Sequence, residues 1–117
     1  MMTSAPFLVE SLGRLKLLHV FGELDMTNYI EFADAMDHAA GDDAEAPLIV
    51  GFVECTYVDT SVLTALVNAH RKHARRLHVV VPRDSNVRRI FEATGLHRVL
   101  LVHDDFRAAI ADASTRR

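Results

Sequence analysis

The sequence holds a single cysteine, Cys55, so no internal disulfide can form, and a lone thiol suits a reducing compartment. No apolar run approaches the roughly 20 residues needed to cross a bilayer as a helix. Met1 to Pro6 lack the basic start and following apolar stretch of a secretion signal. The expectation is a soluble, cytoplasmic protein with no membrane partner. Positive charge is not in excess: the formal net charge is a mild −3, and the basic residues are scattered apart from Arg71, Lys72, Arg75 and Arg76. That is not the footprint of a nucleic-acid binder, and a solvated helix face accounts for the cluster. Gly-x-Ser-x-Gly, His-Glu-x-x-His and Walker patterns are all missing, and Gly22-Glu23-Leu24-Asp25 has too few glycines to cradle a phosphate.

What is present is apolar content. Half of the 117 residues are hydrophobic, enough for one substantial core and too short a chain for two comfortable ones. A single domain is expected over residues 7–113, with loose tails at 1–6 and 114–117. Strands are expected at Phe7 to Leu12 and Arg14 to Phe21, separated by a turn at Gly13. The period then changes. Tyr29, Phe32, Ala33, Met36 and Ala40 share one stripe of a helix that Thr27 can cap. After the polar loop Gly41 to Glu45, the run Leu48 to Val53 suits a strand buried on both faces.

A second helix follows Asp59 on the face of Leu63, Leu66, Val67, His70 and Ala74, and Leu77 to Val81 is a further strand ended by Pro82. Asp84 or Ser85 can cap a short helix bearing Val87, Ile90 and Phe91, with Gly95 as its stop. Val99 to Val102 reads as a strand. Asp104 then caps a last helix with Phe106, Ala109, Ile110 and Ala113 inward. The order β-β-α-β-α-β-α-β-α predicts an α/β fold with a mostly parallel sheet of about five strands and about four helices.

In open α/β sheets, ligands and partners meet the loops where strands end and helices begin. The segment Glu54 to Ser61 is the candidate, because Asp59, Thr60 and Ser61 place an acid and two hydroxyls at a helix start. A helix N-terminus carries about +0.5 of a charge and unpaired N–H groups, which would hold a phosphate esterified there. Phosphorylation of Thr60 or Ser61 would add roughly −1.5 to −2 charges beside Asp59 and repel an acidic partner surface. The same three residue types are also the ordinary N-caps, and spacing alone favours capping over a switch.

Three landmarks in order resemble the STAS domain family: Gly22-Glu23-Leu24-Asp25, Tyr57-Val58-Asp59-Thr60-Ser61, and Phe91-Glu92-Ala93-Thr94-Gly95-Leu96. The likeness spans nearly the whole chain and is of the anti-sigma factor antagonist type. It implies a non-enzymatic binding module. Its unphosphorylated form binds a kinase-like anti-sigma factor and frees a sigma factor, and phosphorylation of the hydroxyl after the aspartate ends that binding. By position the resemblance implicates Thr60, with Ser61 as the neighbouring candidate, and a docking surface of Glu23, Asp25, Asp59, Thr60, Ser61, Val62 and Leu63. Asp25 and Asp59 would lie near the partner's nucleotide edge. Two positions depart from the family pattern: Val62 stands where glycine is usual, and Gly51 where an acid often closes the central strand. Relatives that act as scaffolds in larger assemblies carry Asp-Thr without that glycine. The alternative is therefore a weakly phosphorylated scaffold subunit that forms homo- or hetero-oligomers with other STAS proteins.

No cofactor is implied. His70 and His73 lie one helical turn apart, but no third ligand follows at a metal-binding spacing, so no metal site is expected and His73 is read as solvated. Cys55 is read as a buried, inert thiol. Asp25 and Asp59 have no base or nucleophile beside them in the sequence, so no active site is expected.

Overall fold

The computed structural model describes residues 6–43, 45–73 and 77–115. Of the expected features, Ala44, Ala74, Arg75 and Arg76, Met1 to Ala5 and the last two residues lie outside it. β1 (Phe7–Leu12) and β2 (Leu15–Leu24) form an antiparallel hairpin in which Leu12 faces Leu15. Gly13 takes a φ of 61° in the two-residue turn, a value that β-branched or bulky side chains resist. The rest alternates: α1 (Tyr29–Ala40), β3 (Leu48–Val58), α2 (Thr60–His73), β4 (Leu77–Val80), α3 (Asn86–Thr94), a 3-10 turn at Leu96–Arg98, β5 (Leu101–His103) and α4 (Phe106–Thr115). The sheet order is β1-β2-β3-β4-β5, parallel from β2 onward. The predicted α/β class, strand count and element order all stand. No helix among the described residues is long and apolar enough to cross a membrane.

Period-two side chains divide the core between the two faces of the sheet. Leu18, Val20, Val50, Phe52 and Val79 turn toward α1, α2 and α3, while Leu15, Leu17, Ile49 and Val80 meet Ala109 and Ala113 of α4. A row of rings ties the first layer together. Phe7 lies 5.9 Å from Phe32, and Phe32 and Phe91 each lie 6.0 Å from Phe52, in the spacing that aromatic pairs prefer. On the other face, Gly51 lies directly beneath Phe106. A Cβ placed on Gly51 would come within 2.2 Å of Phe106 Cζ and 2.8 Å of its Cε1. The missing side chain is thus what lets α4 lie on the central strand, and Gly51 lies within that strand, which continues to Val58, so it does not close it as expected.

Several local expectations are corrected. β2 and β3 run on past Phe21 and Val53, because parallel pairing continues through Leu24↔Val58. Register shifts along β3 bring Phe52, Cys55 and Val58 to the core at intervals of three, so a strict period of two ends the strand too early. Thr27 does not cap α1: its hydroxyl donates to Asp25, and the residue before the helix is Asn28. Leu96–Arg98 form a turn, so the last strand begins at Leu101, later than Val99. Asp105 accepts the N–H of Ala108 at 2.8 Å and caps α4, leaving Asp104 to bind Arg83 and Arg88, each at 2.8 Å. The helix continues to Thr115, past Ala113, the last residue of its apolar face. Ser85, the second of the two candidates, caps α3, and Gly95 ends it in the left-handed conformation. His73 is buried, with Nε2 3.6 Å from Asp37 of α1, because the last turn of α2 tucks against that helix.

Two outcomes follow. Gly51→Ala should lower stability in urea denaturation by about 1–3 kcal/mol, the usual cost of overpacking, and adding Phe106→Leu should restore part of it; a more stable Gly51→Ala protein would refute the contact. Asp104 is held below the usual carboxylate range by hydrogen bonds from Arg83, then Arg88. Its stabilising contribution is therefore complete above the ordinary value of 3.8 and is lost as the pH falls through the lower folded value. Asp104→Asn should flatten the decline in stability over that acid interval, and an unchanged pH slope would contradict the assignment.

Candidate functional site

The parallel register sets Leu24 beside Val58, so the next residues, Asp25 and Asp59, leave the sheet at the same edge. The Asp59 N–H donates to the Leu24 carbonyl at 3.2 Å and ties the two chain exits together. Asp59 then caps α2. Its Oδ1 accepts the N–H groups of Ser61 at 3.0 Å and Val62 at 3.3 Å, and also the Ser61 hydroxyl at 2.5 Å. Its carbonyl accepts from Val62 and Leu63 at 3.1 and 3.2 Å. These bonds fix where the helix starts and, with it, which residues of the first turn face outward.

The neighbouring loop is held by its own side chains. Asn28 Oδ1 accepts the Asp25 N–H at 2.8 Å, and Asn28 Nδ2 donates to the Glu23 carbonyl at 3.0 Å. Asp25 accepts both the hydroxyl and the N–H of Thr27, and these bonds keep its carboxyl below the usual carboxylate range. Gly22 supports the bend with a φ of 75°. Short polar residues thus shape the acid-bearing loop between Leu24, buried in the core, and Tyr29, which packs against it.

Of the residues singled out in the sequence, Glu23 and Thr60 are exposed, while Asp25, Asp59 and Ser61 are half-buried. The Thr60 hydroxyl makes no hydrogen bond to any described residue, whereas that of Ser61 is engaged by Asp59. Val62 is fully buried and Leu63 nearly so. Neither offers much surface to a visitor, since capping at Asp59 turns Val62 and Leu66 inward together, and the bulk of Val62 therefore fills core volume beneath the helix start. The expected loop Glu54 to Ser61 is strand as far as Val58, leaving Asp59 alone between strand and helix. Cys55 is buried within that strand, and burial raises its thiol pKa, which disfavours the thiolate.

The structure adds residues that the sequence reading passed over. Met26 and Ile30 are 75% and 61% exposed. A cleft of about 310 Å³ runs between Met26 and Tyr29 on one side and Ser61, Thr64 and Asn68 on the other. A second, of about 410 Å³, extends from Thr60 past Thr64 and Val67 to Leu96. Ile30 could have been noticed, since it lies off the apolar stripe of α1. Nothing in the sequence marked the clefts, which need both helices in place. The arrangement offers a free hydroxyl at a helix N-terminus, flanked by acids on one side and apolar clefts on the other.

Solved structures share this architecture. An anti-sigma factor antagonist from Mycobacterium paratuberculosis superposes with a TM-score of 0.82 at 21% identity, covering 96% of this chain and 99% of that one. A putative anti-sigma factor antagonist from Thermotoga maritima gives 0.76 at 16% identity, covering 92% and 94%. The Bacillus cell fate determinant SpoIIAA in its phosphorylated form gives 0.60 at 18% identity, covering 91% and 97%. No curated protein matches the sequence significantly. The sequence profile of the STAS domain matches residues 7–113, and the chain belongs to that family.

Proposed function

We propose that this STAS domain is an anti-sigma factor antagonist, docking a switch-kinase anti-sigma factor at the edge formed by Glu23, Asp25, Asp59, Thr60 and Ser61, and released when Thr60 is phosphorylated. The observation that carries the reading is the exposed Thr60 hydroxyl, unbonded among the described residues at the capped start of α2. The likeness to solved anti-sigma factor antagonists, one of them in a phosphorylated form, supports the role.

The physics of the switch is local. A phosphate on Thr60 gains the favourable field of the helix N-terminus but stands beside Asp59, adding roughly −1.5 to −2 charges to an edge that already carries Glu23 and Asp25. Arg71 stands at the far end of the Thr60 cleft, about three turns along the helix, whereas Asp59 is the adjacent residue. The added charge faces the visitor. Ser61 is the weaker acceptor, because its hydroxyl is half-buried and already donates to Asp59. Met26, Ile30 and the two clefts supply the apolar contact that a stable complex needs beside the charged edge.

Incubation with the cognate anti-sigma kinase and ATP should place one phosphate on Thr60, located by mass spectrometry, and Thr60→Ala should prevent it. Modification of neither Thr60 nor Ser61 removes the switch and leaves the scaffold role, which a large assembly in size-exclusion chromatography would then support. Charge and capping can also be separated. Asparagine caps a helix about as well as aspartate, so Asp59→Asn should keep stability within about 0.5 kcal/mol of wild type. The same change should weaken binding to the anti-sigma factor at least fivefold. Unaltered affinity would take Asp59 out of the contact.

A further inference from the structure

On the face of the sheet covered by α4, three side chains far apart in sequence converge: His78 of β4, His103 of β5 and Asp112 of α4. His78 Nδ1 lies 3.1 Å from His103 Nε2 and 3.6 Å from Asp112 Oδ2, and His103 Nε2 lies 3.5 Å from the same carboxylate oxygen. The two rings stack, with centroids 5.3 Å apart. We infer that His78, His103 and Asp112 form a binding site for a divalent transition-metal cation of the Zn²⁺ type.

The triangle has the size such an ion needs. Zn²⁺ sits about 2.0–2.1 Å from histidine nitrogen and carboxylate oxygen, which sets tetrahedral donor atoms about 3.3–3.4 Å apart. Edges of 3.1, 3.5 and 3.6 Å bracket that separation, so a single point lies at coordination distance from all three atoms. The donor set points the same way. Two imidazoles with one carboxylate suit Zn²⁺, Ni²⁺ or Cu²⁺, whereas Mg²⁺ and Ca²⁺ prefer a shell of oxygens. His78 is only 1% exposed, and the side chains of His103 and Asp112 are 14% and 29% exposed. The cluster thus runs from the buried His78 to the partly exposed Asp112 carboxylate.

The three residues stand on separate elements, with the His78 and His103 rings stacked across the β4–β5 pairing that sets His78 beside Leu101 and Val80 beside His103. Their ligand atoms come from two strands and the helix that covers them, and a bound ion would fasten α4 to the edge of the sheet. The 3.1 Å nitrogen–nitrogen contact is equally the length of a hydrogen bond, in which a proton occupies the place of the metal. Binding requires both nitrogens to present lone pairs instead, which makes the competing arrangement directly testable. The pair His70 and His73 on α2 gathers no such triad among the described residues.

The full chain, stripped with a chelator and desalted, is titrated with Zn²⁺ alone by calorimetry and melted with and without it. The expected result is one saturable Zn²⁺ per chain, a raised Tm, and the visible absorption of tetrahedral Co²⁺ when Co²⁺ replaces Zn²⁺. Asp112→Asn and His103→Gln should each weaken Zn²⁺ binding at least tenfold while keeping the wild-type circular dichroism spectrum, and His70→Gln should leave binding unchanged. No saturable binding overturns the inference, as does wild-type affinity in both ligand variants, or an equal Tm rise with Mg²⁺. Should a variant fail to fold, the imidazole NMR signals of the wild type decide. Zn²⁺ must shift those of His78 and His103 and spare those of His38 and His97; the reverse pattern refutes the site.

Discussion

The parallel pairing of β2 with β3 is the constraint on which the rest depends. It continues past the point where the apolar run of β3 ends, absorbs two register shifts, and finishes with Leu24 beside Val58. Because Asp25 and Asp59 come next in the chain, that pairing alone brings two loops more than thirty residues apart to one edge, and the Asp59 to Leu24 hydrogen bond locks them there. Asp59 then fixes the start of α2, and the start of α2 decides that Thr60 faces outward while Val62 faces the core. A slip of one residue in this pairing would turn alternate side chains to the wrong face and dissolve both the core and the site.

The two faces of the sheet carry different work. Beneath α1, α2 and α3 the core is continuous and aromatic, and it supports the edge where the acids and Thr60 emerge. Beneath α4 the packing is thinner: Gly51 admits Phe106, and the histidines of β4 and β5 meet Asp112. The proposed docking at the charged edge needs a rigid scaffold behind it, because a sub-ångström shift in the loop would soften the contact.

Much of this was legible in the sequence. Apolar periods gave the element order, and Ser85, Gly95 and Asp59 announced helix ends through their residue types. The three ordered landmarks identified the family. What escaped was everything that depends on phase or on distant partners. A rule of two could not follow β3 through its register shifts, and Asp104 and Asp105 are indistinguishable as caps until Arg83 and Arg88 claim the first. His73 reads as a solvated neighbour of the apolar stripe of α2, and the residue of α1 that it meets, Asp37, lies 36 residues away in sequence. The surface contributed by Met26 and Ile30, and the trio His78, His103 and Asp112, likewise exist only once the chain has folded.

The central claim is that a partner reads the edge where β2 and β3 end and α2 begins. Amide hydrogen exchange of the chain with and without its anti-sigma factor tests this most directly. The account predicts slowed exchange confined to the segments around Glu23 to Ile30 and Asp59 to Asn68, with the amides of α4 unaffected. Protection concentrated on α4 or on β1, with the Asp59 region exchanging as in the free protein, would contradict it.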